Sequence, residues 1–204
     1  MMNLSRRLRL ACMAAALLLA GCDKLGLSST AGKPHFTGVD ITGADYRYAL
    51  PDATGQIRTN ADFKGKVTVV FFGYTQCPDV CPTTMAELAQ VKKALGPDGD
   101  RLQGVFVTID PERDTPQMLK SYVGSFDPTF VALRGSPQET AAVAKTFKVF
   151  YAKSPGKTPD SYTMDHTAGS YVFDPQGRVR LFERYGGGSE GLTADVKALL
   201  SAGA

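Results

Sequence analysis

The sequence predicts an α/β fold in which helices flank a central mixed β-sheet and a β-hairpin precedes the sheet. The first observation is the run Val67–Phe72, which is apolar and rich in β-branched and aromatic residues, with Thr68 as its one polar member. Such a run is typical of a central strand that is covered on both faces. The second observation is the alternation of strand and helix patterns along the rest of the chain, which indicates strands and helices packed in layers.

The N-terminal hairpin and the central strand come first in the predicted order. Tyr46–Leu50 alternates apolar and polar residues, Pro51–Gly55 is rich in turn formers, and Gln56–Thr59 can return as a second short strand. Val67–Phe72 follows as the central strand. Its carboxyl end leads directly into a turn that contains two cysteines.

Helices and further strands follow that turn. Pro82–Leu95 carries apolar residues at three- and four-residue spacing, which predicts a helix with one buried face. Thr115 is placed to cap a later helix that has Pro116 at its first position. The remaining predicted elements are, in order, strand Leu102–Ile109, helix Gln117–Val123, strand Phe130–Leu133, helix Gln138–Phe147, an extended piece Val149–Ala152, a long loop Lys153–Tyr162, strands Ser170–Phe173 and Arg178–Arg184, and helix Thr193–Leu200.

The first 21 residues are predicted to be a lipoprotein signal peptide. Three arginines precede an apolar run of eleven residues, Leu10–Ala20, which is shorter than the ~20 residues needed to span a bilayer. Leu19-Ala20-Gly21-Cys22 resembles the bacterial lipobox, so we expect cleavage before Cys22 and lipidation of that cysteine. The alternative is an ordinary signal peptide that happens to contain a cysteine.

A flexible tether over residues 22–37 and a single domain over residues 38–204 are predicted to follow the signal peptide. The tether is rich in Gly, Ser, Thr and Lys and has little to bury. We therefore expect a protein of the bacterial cell envelope that is held to the membrane by its lipid and has its domain in the periplasm. Asp23 directly after Cys22 favours the inner membrane where enterobacterial-type sorting operates.

Charge gives no support for a nucleic-acid partner. The chain has 23 Lys and Arg against 20 Asp and Glu, a formal net charge of +3. The predicted signal peptide contains three of those arginines and no acidic residue, so its removal leaves a chain with no net charge. Because the basic character belongs to the signal peptide, we predict that the domain binds no nucleic acid.

Cys77 and Cys81 are the cysteines that remain in the predicted domain. Of the four cysteines, Cys12 leaves with the signal peptide and Cys22 is the predicted lipid site. Two cysteines do not make a disulfide scaffold, so the pair is reactive or metal-binding. A position at a helix N-terminus favours the thiolate, and a spacing of four gives a Cα separation of ~6 Å, within disulfide range. The spacing therefore allows the two cysteines either to form a disulfide or to share a metal ion.

The third ligand decides between the metals that a cysteine pair can hold. A structural zinc ion requires four protein ligands, whereas the domain offers few beyond the two cysteines. Two thiolates and one imidazole suit Cu(I), and an added ligand can complete the site for Cu(II). His166 is the candidate imidazole because it follows a long loop beside a strand, although a structural histidine is the alternative. His35 lies in the predicted tether, where a solvated histidine is expected.

Three motifs together resemble the Sco/SenC family of copper-binding, thioredoxin-like proteins. The resemblance extends from about Gly38 to Leu200, with the motifs in the family's order and spacing. They are Phe72-Gly73-Tyr74-Thr75-Gln76-Cys77-Pro78-Asp79-Val80-Cys81-Pro82, Thr108-Ile109-Asp110-Pro111-Glu112-Arg113-Asp114-Thr115-Pro116, and Asp165-His166 ahead of Tyr171-Val172-Phe173-Asp174-Pro175.

The resemblance implies a thioredoxin-like domain that binds one copper ion, Cu(I) or Cu(II), through Cys77, Cys81 and His166. It further implies delivery of that copper to the copper A centre of cytochrome c oxidase. The implied partners are the apo copper A subunit and, beside it, other periplasmic copper chaperones or thioredoxin-like reductants. The family's anchor is often a transmembrane helix, so a lipobox departs from the family in anchoring alone.

A second function remains open at this point. The chain could be a thiol-disulfide oxidoreductase that reduces the copper-ligand cysteines of the oxidase subunit, with Cys77 as the attacking and Cys81 as the resolving thiol. Three residues lie between the cysteines here and two in thioredoxin, which argues against a general reductase. Other motif residues are expected to have structural roles, each with an alternative. Asp79 complements the helix N-terminus or supports a metal ligand from behind, and Asp110–Asp114 forms a turn and cap, orients the copper loop or docks a partner. Met164 is expected to pack, with approach of its thioether to Cu(I) as the alternative.

Overall fold

The computed structural model describes residues 35–158 and 161–202, and its centre is a mixed sheet of six strands. The sheet order is β1-β10-β9-β4-β5-β6. The predicted signal peptide, the lipid site Cys22 and residues 22–34 of the predicted tether lie outside the described residues. The strands are β1 (Val39–Asp40), β2 (Ala49–Pro51), β3 (Ile57–Thr59), β4 (Val67–Gly73), β5 (Leu102–Thr108), β6 (Val131–Leu133), β7 (Tyr151–Ser154), β8 (Thr163–His166), β9 (Gly169–Phe173) and β10 (Val179–Arg184).

Strand β4 is the central strand that the apolar run predicts. All seven of its residues are buried, and so are the seven residues of β5. β4 pairs parallel with β5 and antiparallel with β9, while β5 pairs parallel with β6. The carboxyl ends of β4 and β5 and the amino end of β9 therefore meet at one edge of the sheet.

Four α-helices accompany the sheet in the described residues: α1 (Val80–Ala94), α2 (Pro116–Gly124), α3 (Pro137–Thr146) and α4 (Gly188–Ala202). Thr115 caps α2 with its side chain and Pro116 is the first helical residue, as predicted. Ser136 and Glu139 form a capping box at the start of α3. α1 packs against α4. No helix of the described chain combines the length and the apolar character that crossing a membrane demands.

Two predictions about local structure need correction. The predicted loop Lys153–Tyr162 begins later than expected, because Lys153 and Ser154 belong to β7, and β8, which pairs antiparallel with β7 and ends in His166, was not predicted as a strand. β7 itself overlaps the predicted extended piece Val149–Ala152. α4 begins at Gly188 and not at Thr193, since tertiary packing overrides the low helix propensity of glycine. The predicted hairpin is confirmed in β2 and β3.

The chain enters the domain through contacts with α4. Phe36 packs against the hydrophobic core, and Thr37 follows it into a set of hydrogen bonds. The Asp195 carboxylate accepts the backbone N–H of Thr37 at 3.0 Å, its Oγ1–H at 2.8 Å and the N–H of Gly38 at 2.8 Å. The last residues of the predicted tether are thus attached to the C-terminal helix.

Glu183 beside this attachment is expected to make stability depend on pH. Burial and the neighbouring Asp195 raise the pKa of Glu183 from 4.5 to about 7. Its buried Oε1 has no partner as a carboxylate, whereas the neutral acid can donate to Asp195. A raised folded-state pKa stabilises the fold below pH ~4.5, and this stabilisation is lost as the pH rises through about 7. After allowance for partial exposure we expect a loss of about 1–2 kcal/mol of unfolding free energy.

Urea unfolding of Glu183→Gln at several pH values between about 5 and 8 checks this. The unfolding free energy of the wild type should fall as the pH rises, and that of the variant should not show this fall. Glu190→Gln, which changes an exposed glutamate on α4, is the matched control and should retain the decline. If the unfolding free energy falls equally with pH in the wild type and in Glu183→Gln, then Glu183 is not the group responsible for the decline.

Candidate metal centre

Cys77, Cys81 and His166 come together at the sheet edge where β4 ends. Each offers one ligand atom, and these three atoms all lie within 4.8 Å of one another. Cys81 Sγ is 3.6 Å from His166 Nε2, and the Cys81 N–H lies 3.5 Å from Cys77 Sγ. Within residues 35–158 and 161–202 this is the one group of three or more Cys, His, Asp or Glu side chains that could share a metal ion.

The two cysteines lie on either side of the start of α1, as predicted. The Cys77 N–H donates to the Tyr74 carbonyl at 3.2 Å, which closes a turn directly after β4. Asp79 occupies the N-cap position of α1, but its side chain makes no capping hydrogen bond. Cys81 is the second residue of the helix. The turn therefore brings both sulfurs to the helix N-terminus.

The two sulfurs differ in exposure. Cys77 is partly exposed, whereas Cys81 is completely buried. Burial raises the pKa of the Cys81 thiol well above its ordinary value. The expectation that both thiolates are favoured was therefore wrong for Cys81, because the helix N-terminus contributes about 0.3–1 kcal/mol and desolvation outweighs it. Cys77 is the accessible sulfur, and Cys81 is the sulfur held inside.

Gly73 at the end of β4 makes room for the buried sulfur. A Cβ at this position would lie 2.8 Å from Cys81 Sγ and 2.9 Å from the Phe71 ring. Any other residue at position 73 would therefore displace the sulfur or the ring. Sequence reasoning missed this role, although a glycine directly between a buried strand and a cysteine turn is a signal for close approach.

Strand pairing brings His166 to the cysteines. β9 runs antiparallel to β4, with Ser170 opposite Phe71, so the chain just before β9 lies beside the turn that follows β4. His166 is the last residue of β8, three positions before β9 begins. The structure thus places the imidazole next to Cys81 Sγ, 85 residues away in sequence.

The His166 ring is held so that one nitrogen faces the sulfurs. Nδ1 lies 3.0 Å from the Thr167 carbonyl and can donate to it, which leaves Nε2 as the unprotonated nitrogen on the Cys81 side. The Phe71 and Tyr74 rings meet the imidazole nearly edge-on, with centroid distances of 6.0 and 6.2 Å. Burial lowers the pKa of His166, which favours the neutral form that binds metals.

Asp114 connects the cysteine turn to β5. Its buried carboxylate accepts the Thr75 N–H at 3.1 Å, the Thr75 Oγ1–H at 2.5 Å and the Thr108 Oγ1–H at 2.6 Å. Burial raises the pKa of Asp114. Thr115 caps the helix, whereas Asp114 holds the cysteine turn. The sequence did not show that these neighbouring residues have separate roles.

The other residues considered from sequence are not in the ligand group. Met164 is buried with the hydrophobic core, as expected for a packing residue. His35 is exposed at the start of the described chain. Tyr162, which contacts the motif that contains Asp110, was missed by sequence reasoning.

A mixed sheet flanked by helices, with a two-cysteine turn between its central strand and the next helix, defines a thioredoxin-like domain with an added histidine. Comparison with known proteins confirms this class and narrows it. The family model described as SCO1/SenC matches residues 39–201. The chain belongs to the SCO1/SenC family.

Individual relatives agree with this assignment. An SCO2-like protein of Rickettsia felis is 38% identical over 137 residues, which are 67% of this chain and 66% of that protein. ScoI of Bradyrhizobium japonicum, solved with copper bound, is 44% identical, covers 74% of this chain and 96% of its own, and superposes with a TM-score of 0.67. Apo Sco1 of Thermus thermophilus is 37% identical, covers 81% and 97%, and has a TM-score of 0.73.

The match to the curated relatives is partial in length. The aligned part is 66% of the Rickettsia felis protein and 59% of the mitochondrial SCO2 homolog of Bos taurus. The family model's match, residues 39–201, contains the three candidate ligands.

Proposed function

We propose that this protein is a membrane-anchored copper chaperone that binds one copper ion through Cys77, Cys81 and His166 and delivers it to the copper A centre of cytochrome c oxidase. The convergence of these three ligand atoms within 4.8 Å is the observation that carries the proposal. Copper-bound structures of relatives from Bradyrhizobium japonicum, Arabidopsis thaliana and yeast support it. BsSco, 22% identical, is described as a member of the Sco family of cytochrome c oxidase assembly proteins.

The donor set fits copper better than a structural zinc ion. Two sulfurs and one imidazole nitrogen provide three ligands, and structural zinc sites almost always have four. Soft sulfur ligands select Cu(I), and imidazole also suits Cu(II). Because Thr167 engages Nδ1, His166 can offer Nε2 without a change of ring orientation.

The unequal exposure of the sulfurs suits a site that must release its ion. Cys77 is partly exposed and lies in the turn, so an incoming ligand from a partner can reach the copper first on that side. Cys81 and His166 then retain the ion until it has a second ligand from the partner. The copper is cargo in this function, and transfer is an exchange of ligands.

Anchoring and location complete the proposal. Lipidation of Cys22 after removal of residues 1–21 would hold the domain of residues 38–204 in the periplasm through the tether of residues 22–37, with the lipid in the inner membrane. The apo copper A subunit is the proposed partner, and other periplasmic copper chaperones or thioredoxin-like reductants are the proposed sources of copper and electrons.

Loading of the apo copper A subunit by the purified, copper-bound protein tests the proposal. The visible absorption of the copper A centre should develop with the wild type and fail to develop with Cys77→Ser, Cys81→Ser or His166→Ala. His35→Ala, which changes an exposed histidine, is the control and should load like the wild type. Equal loading by wild type and all three ligand variants would exclude delivery through this site.

The same sulfurs favour one alternative function, that of a thiol-disulfide oxidoreductase. The accessible Cys77 would attack a disulfide between the copper-ligand cysteines of the oxidase subunit and form a mixed disulfide with one of them. Cys81 would then attack Cys77 Sγ, which forms the Cys77–Cys81 disulfide and releases the partner's second thiol. The protein's two thiols become a disulfide as the partner's disulfide becomes two thiols. Reduction should then survive in His166→Ala and be lost in either cysteine variant. If copper A assembly also survives in His166→Ala, this function replaces the chaperone.

A further inference from the structure

Three side chains beside the candidate metal centre form an interlocked set, here called the clamp: Asp110, Arg113 and Tyr162. Arg113 Nε donates to Asp110 Oδ2 at 2.5 Å, and the Tyr162 hydroxyl donates to Asp110 Oδ1 at 2.8 Å. The Arg113 guanidinium also stacks on Tyr162, with Cζ 3.5 Å from the ring centroid. Each member contacts the other two.

The clamp joins the two segments that hold the candidate metal ligands. Arg113 Nη1 donates to the Tyr162 carbonyl at 2.8 Å and to Gln76 Oε1 at 3.3 Å. Gln76 directly precedes Cys77 in the cysteine turn. Tyr162 directly precedes β8, the strand that ends in His166. One guanidinium group therefore contacts both the cysteine segment and the histidine segment.

The sheet alone does not fix the position of β8. β7 and β8 form a separate two-stranded sheet that shares no ladder with the six-stranded sheet. The end of β8 near His166 is held because the chain enters β9 three residues later. The other end is attached by the buried Met164 side chain in β8, by the clamp, and by the exposed Lys153–Glu112 pair on the neighbouring strand β7. Exposed pairs contribute little, whereas Asp110 is buried and the Arg113 side chain is 15% exposed, so the clamp is the stronger of the two polar attachments.

We propose that the clamp positions His166 and thereby sets the preference of the site between Cu(II) and Cu(I). This inference rests on the proposed ligand set. When the clamp is broken, β8 can move away from the cysteine turn and withdraw the imidazole, while both sulfurs stay on the turn and on α1. Two thiolates suffice for Cu(I), whereas Cu(II) relies on the nitrogen ligand. Arg113 and Tyr162 are positioning residues in this scheme, because they act on the metal through His166.

Copper titration of the purified full chain with Arg113→Met and Tyr162→Phe tests the clamp. Loss of a group that orients a ligand typically lowers metal affinity about 10–100-fold, and we expect this for Cu(II) with Arg113→Met. Tyr162→Phe retains the stack and loses one hydrogen bond, so its effect should be smaller. Cu(I) affinity should stay close to the wild-type value in both variants. The electron paramagnetic resonance spectrum of the Cu(II) form should lose the imidazole nitrogen coupling in Arg113→Met.

Arg178→Met is the matched control, because Arg178 also pairs with a buried aspartate but lies in the β9–β10 turn, away from the candidate metal centre. It should leave both affinities and the nitrogen coupling unchanged. The proposed role of the clamp is rejected if Arg113→Met lowers the affinities for Cu(I) and Cu(II) equally. It is also rejected if Arg113→Met leaves the Cu(II) affinity and the nitrogen coupling unchanged. Absence of nitrogen coupling in the wild type instead rejects the proposed ligand set, so the two failures are distinguishable.

Discussion

His166→Ala is expected to weaken Cu(II) binding at least about 100-fold, because loss of a group that merely orients a ligand already costs 10–100-fold. Nε2 faces Cys81 Sγ at 3.6 Å and is the nitrogen donor of the proposed site. Cu(I) should be affected much less, since both sulfurs remain. Competition titrations of each oxidation state against chelators of known affinity measure the two effects separately.

His35→Ala is the control, because it removes the other histidine of the chain from an exposed position outside the ligand group. Its Cu(II) and Cu(I) affinities should equal those of the wild type. If His166→Ala retains the wild-type Cu(II) affinity, then His166 is not a ligand, and a sulfur-only site takes the place of the three-donor site.

The central part of the fold could be predicted because its signals are local. Val67–Phe72 is buried at every position, and a continuous apolar run of that length needs no partner to be recognised. Thr115 and Pro116 specify a helix start through backbone chemistry within a few residues. The same locality placed Cys77 and Cys81 around the first turn of α1. The metal role of Cys77, Cys81 and His166 stays a prediction that the geometry supports.

The features that the sequence did not show depend on distant contacts. The β7–β8 hairpin pairs Tyr151 with His166 across a segment that contains Pro155 and Gly156, so neither strand has a long periodic pattern. The raised pKa of Cys81 follows from tertiary burial, which opposes the local effect of the helix N-terminus. A local pattern identifies a residue type at an element's end, but not how much of the protein covers it.

Replacing Asp114 with alanine is expected to lower the unfolding free energy by about 3 kcal/mol, because a buried group that loses its partner costs about 1–3 kcal/mol and three donors are affected. Asp114→Asn keeps the shape and an acceptor oxygen, so its loss should be smaller. Urea unfolding measures both, with Asp98→Ala, which breaks an exposed pair with Arg101, as the control that should be nearly neutral. A loss no larger than the control's contradicts a supporting role for Asp114.

The copper site should respond to the Asp114 substitution differently from a broken clamp. Thr75 lies two residues before Cys77, and its backbone N–H and hydroxyl both depend on the Asp114 carboxylate. Release of Thr75 loosens the turn that holds a sulfur, and sulfur is the donor that Cu(I) and Cu(II) share. Affinity for both oxidation states should therefore fall together in Asp114→Ala, whereas Arg113→Met lowers Cu(II) affinity alone. The ratio of the two affinities thus reports which ligand segment has been released.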